Sequence, residues 1–205
     1  TEKGYFNAEI VPITIPQRKG ADLVIKEDEE FKKVDFSKIP SLKPAFSPTG
    51  TITAANASTL NDGASALLLG SKEAGEKSGI KPIGRIVSFA DAEVAPEWFT
   101  IAPVKAAPLA LNKAGLTWED ITFVEVNEAF AIVPMVFAKT FSIPSDKLNV
   151  RGGGVSMGHP LGSSGSRILV TLIHTLQQNG GGYGLAAICN GGGGASAMVI
   201  EVFPA

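Results

Sequence analysis

Fourteen of the 23 glycines in this 205-residue chain lie at or beyond Gly152, and over that stretch only Arg167 and Glu201 carry a formal charge. Glycine at a strict period of three would specify a collagen. Glycine mixed with serine and free of apolar runs would specify a flexible linker. Neither pattern is present, because the glycines alternate with long apolar segments. Such a stretch folds as packed backbone with loops open to close approach by a ligand or another chain segment.

The rest of the composition narrows the class. Hydrophobic residues make up 44% and charged residues 19%, with a net charge of −2. That balance excludes a disordered acidic tail and a basic nucleic-acid binder. A single cysteine excludes an internal disulfide framework and a cysteine-cluster metal site. The uncharged run 168–200 has the length of a membrane span, but Gln177, Gln178, Asn179 and a glycine cluster interrupt it, so no span is expected. The chain begins at Thr1 rather than Met and reads as a processed chain or a fragment. No leader is legible from which to assign a compartment.

Strand and helix patterns alternate along the chain. Residues 9–15 and 22–26 read as short edge strands, the first tolerating Pro12. Residues 31–38 read as a surface segment docked by Phe31, Val34 and Phe36. The apolar run 64–69 predicts a buried strand. Residues 71–78 predict a short helix ended by Gly79, and 83–89 predict a strand. A helix over 102–114 ends at Gly115, and Thr117 with Asp120 resembles a helix cap. Strands follow over 122–126, 183–188 and 196–202, with helices over 129–140 and 166–178. This alternation specifies an α/β layered fold.

Three loops carry chemistry. Cys189 ends a buried-looking strand before Asn190 and four consecutive glycines. A lone cysteine is commonly a small core hydrophobe, yet a structural cysteine does not require such a glycine run beside it. His159 lies in Gly158-His159-Pro160-Leu161-Gly162, ahead of a helix whose free N–H groups face the loop. His174, inside an apolar helix, reads as structural. Asn127 and Glu128 follow the strand ending at Val126, where ligands bind in α/β sheets. Asn127 could be an N-cap, and the acid–amide pair could equally hold a substrate or an ordered water. A thiol, a base and polar donors suit acyl transfer. On these residues alone, a cysteine hydrolase with Cys189 as nucleophile is the direct reading.

The segments Asn127-Glu128-Ala129-Phe130, Gly158-His159-Pro160-Leu161-Gly162 and Cys189-Asn190-Gly191-Gly192-Gly193 resemble the three C-terminal motifs of the thiolases in order and spacing. Residues 51–63 resemble a further segment of that family, and the likeness covers essentially the whole chain. It is nearest to the biosynthetic acetyl-CoA acetyltransferase branch, and residues 26–38, 85–91 and Asn190 favour its mitochondrial, potassium-responsive members. The resemblance implies an αβαβα layered fold of which this chain supplies about half. Residues 1–50 would end the CoA-binding loop domain and 51–205 would form the C-terminal domain, with the N-terminal domain absent.

What the resemblance implies for the site differs from the direct reading. The nucleophilic cysteine would lie in the absent half, and Cys189 would move protons at the substrate α-carbon. His159 would deprotonate the nucleophile and help bind the thioester oxygen, Asn127 would hold the water that completes that first oxyanion hole, and the Gly191 N–H would serve a second oxyanion hole. Lys33, Val34, Asp35 and Lys38 would meet the CoA nucleotide, Ser58 the pantetheine arm, and Phe130 its tunnel. Ala54, Ala55, Ala57 and Val155 would offer carbonyls to K+, with a further tyrosine ligand upstream. Arg151 departs from the Asn common at its position. The implied reaction condenses two acetyl-CoA to acetoacetyl-CoA and CoA, and reverses by thiolysis. The isolated chain would be inactive, and the complete protein a dimer or tetramer in the mitochondrial matrix or the cytoplasm. A degradative 3-ketoacyl-CoA thiolase and a non-catalytic CoA-binding or assembly module are the alternatives.

Overall fold

The computed structural model describes residues 1–204. At its centre is a four-stranded mixed sheet in the order β3-β6-β5-β4. Its strands are β3 (Gly84–Glu93), β4 (Ile121–Val126), β5 (Gly182–Cys189) and β6 (Gly194–Val202). The β3–β6 and β6–β5 pairs are antiparallel, and β5–β4 is parallel. A separate hairpin pairs β1 (Ile13–Ile15) with β2 (Leu23–Ile25).

Each sheet face is covered because the strand residues alternate between two apolar sets. On one side lie α2 (Ala102–Ala114) and α3 (Ile132–Phe141). The buried stripe Ala102, Ala106, Ala107, Ala110 and Leu111 lets α2 sit close on β3 and β6. Trp118, Phe137 and Phe141 stack edge-on or tilted at its margin. On the other side α5 (Ser164–Gln178) buries Ile168, Leu172 and Leu176 against Ala186, Ile200 and Val202. Full burial of each such side chain stabilises the fold by roughly 1.5–3 kcal/mol. The result is a helix–sheet–helix sandwich, the expected α/β layering.

Local signals set most boundaries. The helix α1 (Lys72–Ser78) starts where the Ser71 side chain accepts the Ala74 N–H and ends at Gly79, φ +68°. α2 ends at Gly115, also left-handed. Asp120 Oδ2 accepts from both the N–H and the hydroxyl of Thr117 at 2.8 and 3.0 Å, so aspartate performs the capping role.

Three expectations need correction. Residues 64–69 form no strand, and Leu68 and Leu69 are 84% and 69% exposed. An apolar run becomes a strand only where a neighbouring backbone pairs with it, and among the described residues none does. Helix α3 begins at Ile132 rather than near 129, because Phe130 bridges to Ala57 and Ala131 N donates to Asn56 O. Val34 and Phe36 are exposed, which leaves Phe31 as the half-buried residue of the three.

Candidate active site

The parallel pair β4–β5 brings two of the candidate residues to the same sheet end. Asn127 follows the last residue of β4, and its N–H donates to Ala187 O, two residues before Cys189 at the end of β5. The loop between a four-residue helix, α4 (Gly154–Met157), and α5 carries His159. It is laced to the 51–63 segment, since His159 N donates to Thr59 O at 2.9 Å and Leu60 bridges to His159.

These elements produce a buried polar line. Asn127 Nδ2 lies 3.2 Å from His159 Nε2, and His159 Nδ1 lies 2.6 Å from Ser164 Oγ. Ser164 Oγ donates onward to Pro160 O at 3.1 Å. Asn127, His159 and Ser164 are all buried. Burial and, secondly, the Arg167 charge hold the His159 imidazole below its ordinary pKa, so it is neutral at pH 7. Asn127 Oδ1 is buried and meets no partner among the described residues, a position that calls for a donor from water or ligand.

Cys189 is buried, and burial raises its thiol pKa. Neither ring nitrogen of His159 bonds to it. The direct reading, an activated Cys189–His159 nucleophile pair, therefore lacks its defining contact. Beside Cys189, Asn190 Oδ1 accepts from Gly192 N and Gly194 N, while Asn190 N donates to Gly194 O. This turn leaves Gly191 exposed, with an N–H that donates to no described residue. Such a free N–H is what an oxyanion hole uses.

Glu128 has a different job from the ligand-holding one its motif suggests. Its carboxylate accepts from Asn149 Nδ2 at 3.0 Å and Val155 N at 3.1 Å, clamping the 149–155 loop to the end of β4. Gly153 permits this, because a Cβ there would collide with the Glu128 carboxyl. Phe130 is held edge-on between Phe46 and Phe99. Ser58 donates its hydroxyl to Ala129 O at 2.9 Å, which leaves its oxygen able to accept. Lys33, Val34, Asp35 and Lys38 lie exposed on a separate segment, where Lys33 pairs with Glu30 and Lys38 with Asp35.

Sequence reasoning missed two polar residues behind the site. Ser164 was readable only as the opening of a helix, although its spacing five residues after His159 brings it under the ring. Glu125 sits two residues before Asn127 on the same face of β4, and burial pushes its carboxyl up to about 8. An acid inside a largely apolar strand was the available signal. An open cleft of about 520 Å³ lies alongside, lined by Asn61, Gly63, Pro160, Leu161 and Ser166 among others.

Asn127 after β4, Cys189 at the end of β5 and His159 beside Asn127 thus bring together an amide, a thiol and an imidazole at one end of a mixed α/β sandwich. Two family descriptions match, the C-terminal domain of thiolase over residues 80–202 and the N-terminal domain over residues 1–73, and the chain belongs to the thiolase family. It is 53% identical over 203 residues to a mitochondrial acetyl-CoA acetyltransferase of Danio rerio, and 55% identical over 201 residues to that of Bos taurus. These alignments take in 98% of this chain but 48% and 47% of the relatives, so the chain spans about half their length. Among solved structures, the Acat5 thiolase of Ascaris suum in complex with coenzyme A is similar at TM-score 0.91 and 46% identity. The Bacillus anthracis acetyl-CoA acetyltransferase is similar at 0.92 and 41%. Each of those matches covers 98% of this chain and 51% of the other.

Proposed function

We propose that this chain supplies one half of the catalytic centre of an acetyl-CoA C-acetyltransferase. The complete enzyme joins two acetyl-CoA into acetoacetyl-CoA and CoA, and runs the reverse thiolysis. The observation that carries the reading is the buried line Asn127–His159–Ser164 at the end of β4. A neutral imidazole held in place is a base ready for a thiol proton. In this scheme the nucleophilic cysteine comes from an N-terminal half, which would precede the CoA-binding segment of residues 1–50. His159 takes its proton, and the acetyl group passes from CoA sulfur to cysteine sulfur.

Cys189 suits the second half-reaction. Burial raises its pKa; its thiol gives its proton to the CoA thiolate expelled in the first step, and the Cys189 thiolate so formed is a strong base that removes a proton from the α-carbon of the second acetyl-CoA. The resulting carbanion attacks the acyl-cysteine carbonyl and expels the cysteine thiolate. The free Gly191 N–H supports a role at the acyl-enzyme oxygen. The unpartnered Asn127 Oδ1 supports a bound water at the other oxygen.

Coenzyme A would run over Ser58 and Phe130, with its nucleotide near Lys33, Val34, Asp35 and Lys38. The carbonyls of Ala54, Ala55, Ala57 and Val155 accept no hydrogen bond from the described residues, a donor set that suits a hard monovalent cation such as K+. Bound there, the ion would brace the 54–57 turn and the loop ahead of His159. The proposed location is the mitochondrial matrix rather than the cytoplasm, since the Danio and Bos relatives are named as mitochondrial. The complete protein is proposed as a homo-oligomer, dimer or tetramer.

The test is acetoacetyl-CoA thiolysis by this chain alone and by a protein that joins it to a thiolase N-terminal half. The chain alone is expected to be inactive and the joined protein active. Loss of activity in H159A and C189A, with C4 substrate preferred over long-chain 3-ketoacyl-CoA, supports the reading. Preference for long chains would favour a degradative 3-ketoacyl-CoA thiolase. CoA binding with no turnover in the joined protein would favour a binding module.

A further inference from the structure

We propose that Ser164 is a positioning residue that fixes His159 as the Nδ1–H imidazole, leaving Nε2 as the nitrogen that accepts the proton. The inference rests on the reading of His159 as the catalytic base and adds the device that aims it.

A serine hydroxyl has one hydrogen. Ser164 Oγ directs it to Pro160 O at 3.1 Å, the carbonyl that also takes the N–H groups of Ser163 and Ser164. Its contact with His159 Nδ1 at 2.6 Å must then use an oxygen lone pair, so Nδ1 is the donor. The contact at the other end of the ring agrees with this tautomer, which the Ser164 contact holds in place. The Asn127 Nδ2 group is a donor only, and at 3.2 Å it can be satisfied at Nε2 only by a bare nitrogen. The whole line therefore runs in one direction, from the Asn127 amide through the imidazole and the Ser164 hydroxyl to the Pro160 carbonyl.

Burial gives the arrangement its force. With Asn127, His159 and Ser164 all shielded from solvent, the Nδ1 proton has no bulk-water acceptor to fall back on. Ser164 is also anchored as the first residue of α5, a 15-residue helix packed on β4 and β5. The identity of the partner on the far nitrogen commonly decides which nitrogen of a histidine is free to react.

The test is long-range 1H–15N correlation NMR of the 15N-labelled chain above pH 7, with His174→Gln to assign the only other histidine. The expected wild-type spectrum shows a protonated Nδ1 and a bare Nε2 for His159. In Ser164→Ala, which removes one oxygen at a helix start, that pattern is lost and the Nε2–H form gains. A wild-type spectrum with the proton on Nε2, or a tautomer unchanged in Ser164→Ala, would overturn the proposal. The measurement needs no turnover, so its failure leaves the acyl-transfer reading to the thiolysis assay.

Discussion

Asn127 Nδ2 stands 3.2 Å from His159 Nε2, two buried groups 32 residues apart in sequence that meet where β4 ends. The amide thus guards the nitrogen assigned to proton transfer, while its own oxygen waits for a donor. In the joined, active protein, N127A is expected to lower kcat for thiolysis about 10²–10³-fold, the usual loss on deleting one oxyanion-hole element. Substrate KM should change little if the amide acts, as proposed, on the developing oxyanion. Steady-state kinetics with acetoacetyl-CoA check both numbers. A changed KM with an unchanged kcat would move Asn127 out of the reacting centre.

Cys189 offers a chemical readout that needs no substrate. Only the thiolate alkylates, and burial raises the Cys189 pKa. Iodoacetamide labelling of the chain should therefore be slow at pH 7 and accelerate as pH rises, followed by intact mass. Because Cys189 is the one cysteine in the chain, the mass shift reports it alone. Fast labelling at pH 7 would indicate an activated thiolate and revive the hydrolase reading.

Glu125 makes stability depend on pH in a direction opposite to that of most carboxylates. Its folded pKa is raised by burial to about 8, against 4.5 when exposed. Arg167 and Arg151 oppose the shift, and Glu128 and Glu9 add to it. Between those two values the unfolded chain has released the proton and the folded chain still holds it. Stability contributed by this group is thus fully present at low pH, falls as pH rises through the window, and levels off above about 8. The full span corresponds to about 5 kcal/mol. E125Q should flatten this slope, as urea unfolding at pH 5, 7 and 9 would show. Parallel slopes for E125Q and wild type would contradict the assignment.

The extent to which this was legible in the sequence follows from which forces act locally. Gly79 and Gly115 end their helices as expected, because a left-handed cap is a one-residue requirement. His159, Asn127 and Cys189 stood out because their flanking glycines, proline and strand ends are local as well. Leu68 and Leu69 misled for the opposite reason. Apolar character says that a segment prefers burial, but the backbone that would pair with it is a tertiary fact. Ser164 and Glu125 matter through what they face across α5 and β4, and no window along the chain contains that contact. Glu128 likewise proved a loop clamp because Asn149 and Val155 fold back onto it.

The turn after Cys189 tests whether glycine is required for shape. Gly193 has φ +93°, and a Cβ there would run into Val94 O and Pro96. Its carbonyl also accepts from Val94 N at 2.9 Å, tying the β5–β6 turn to the end of β3. G193A is expected to destabilise the chain by about 1–3 kcal/mol through backbone strain, with the steric contact adding to it. Gly191, with nothing near its Cβ position, should tolerate alanine with little loss. Chemical unfolding of the two variants side by side separates them, and equal stability would show that the turn relaxes.

The uncovered leucines give the chain by itself a solution behaviour that can be measured directly. Leu68 and Leu69 lie outside both apolar cores, and Leu60 and Leu161 near the His159 loop are also exposed, at 80% and 65%. Exposed apolar surface of this kind drives association, and each leucine buried in a contact contributes about 1.5–3 kcal/mol. The chain is therefore expected to self-associate and to bind a hydrophobic dye. The double variant L68S/L69S should reduce both effects without lowering the unfolding midpoint, since neither side chain packs in the interior. Analytical ultracentrifugation and dye titration over a concentration series provide the readout. A monomeric wild-type chain that binds no dye would mean that these leucines are covered in solution by a rearrangement of residues 64–69.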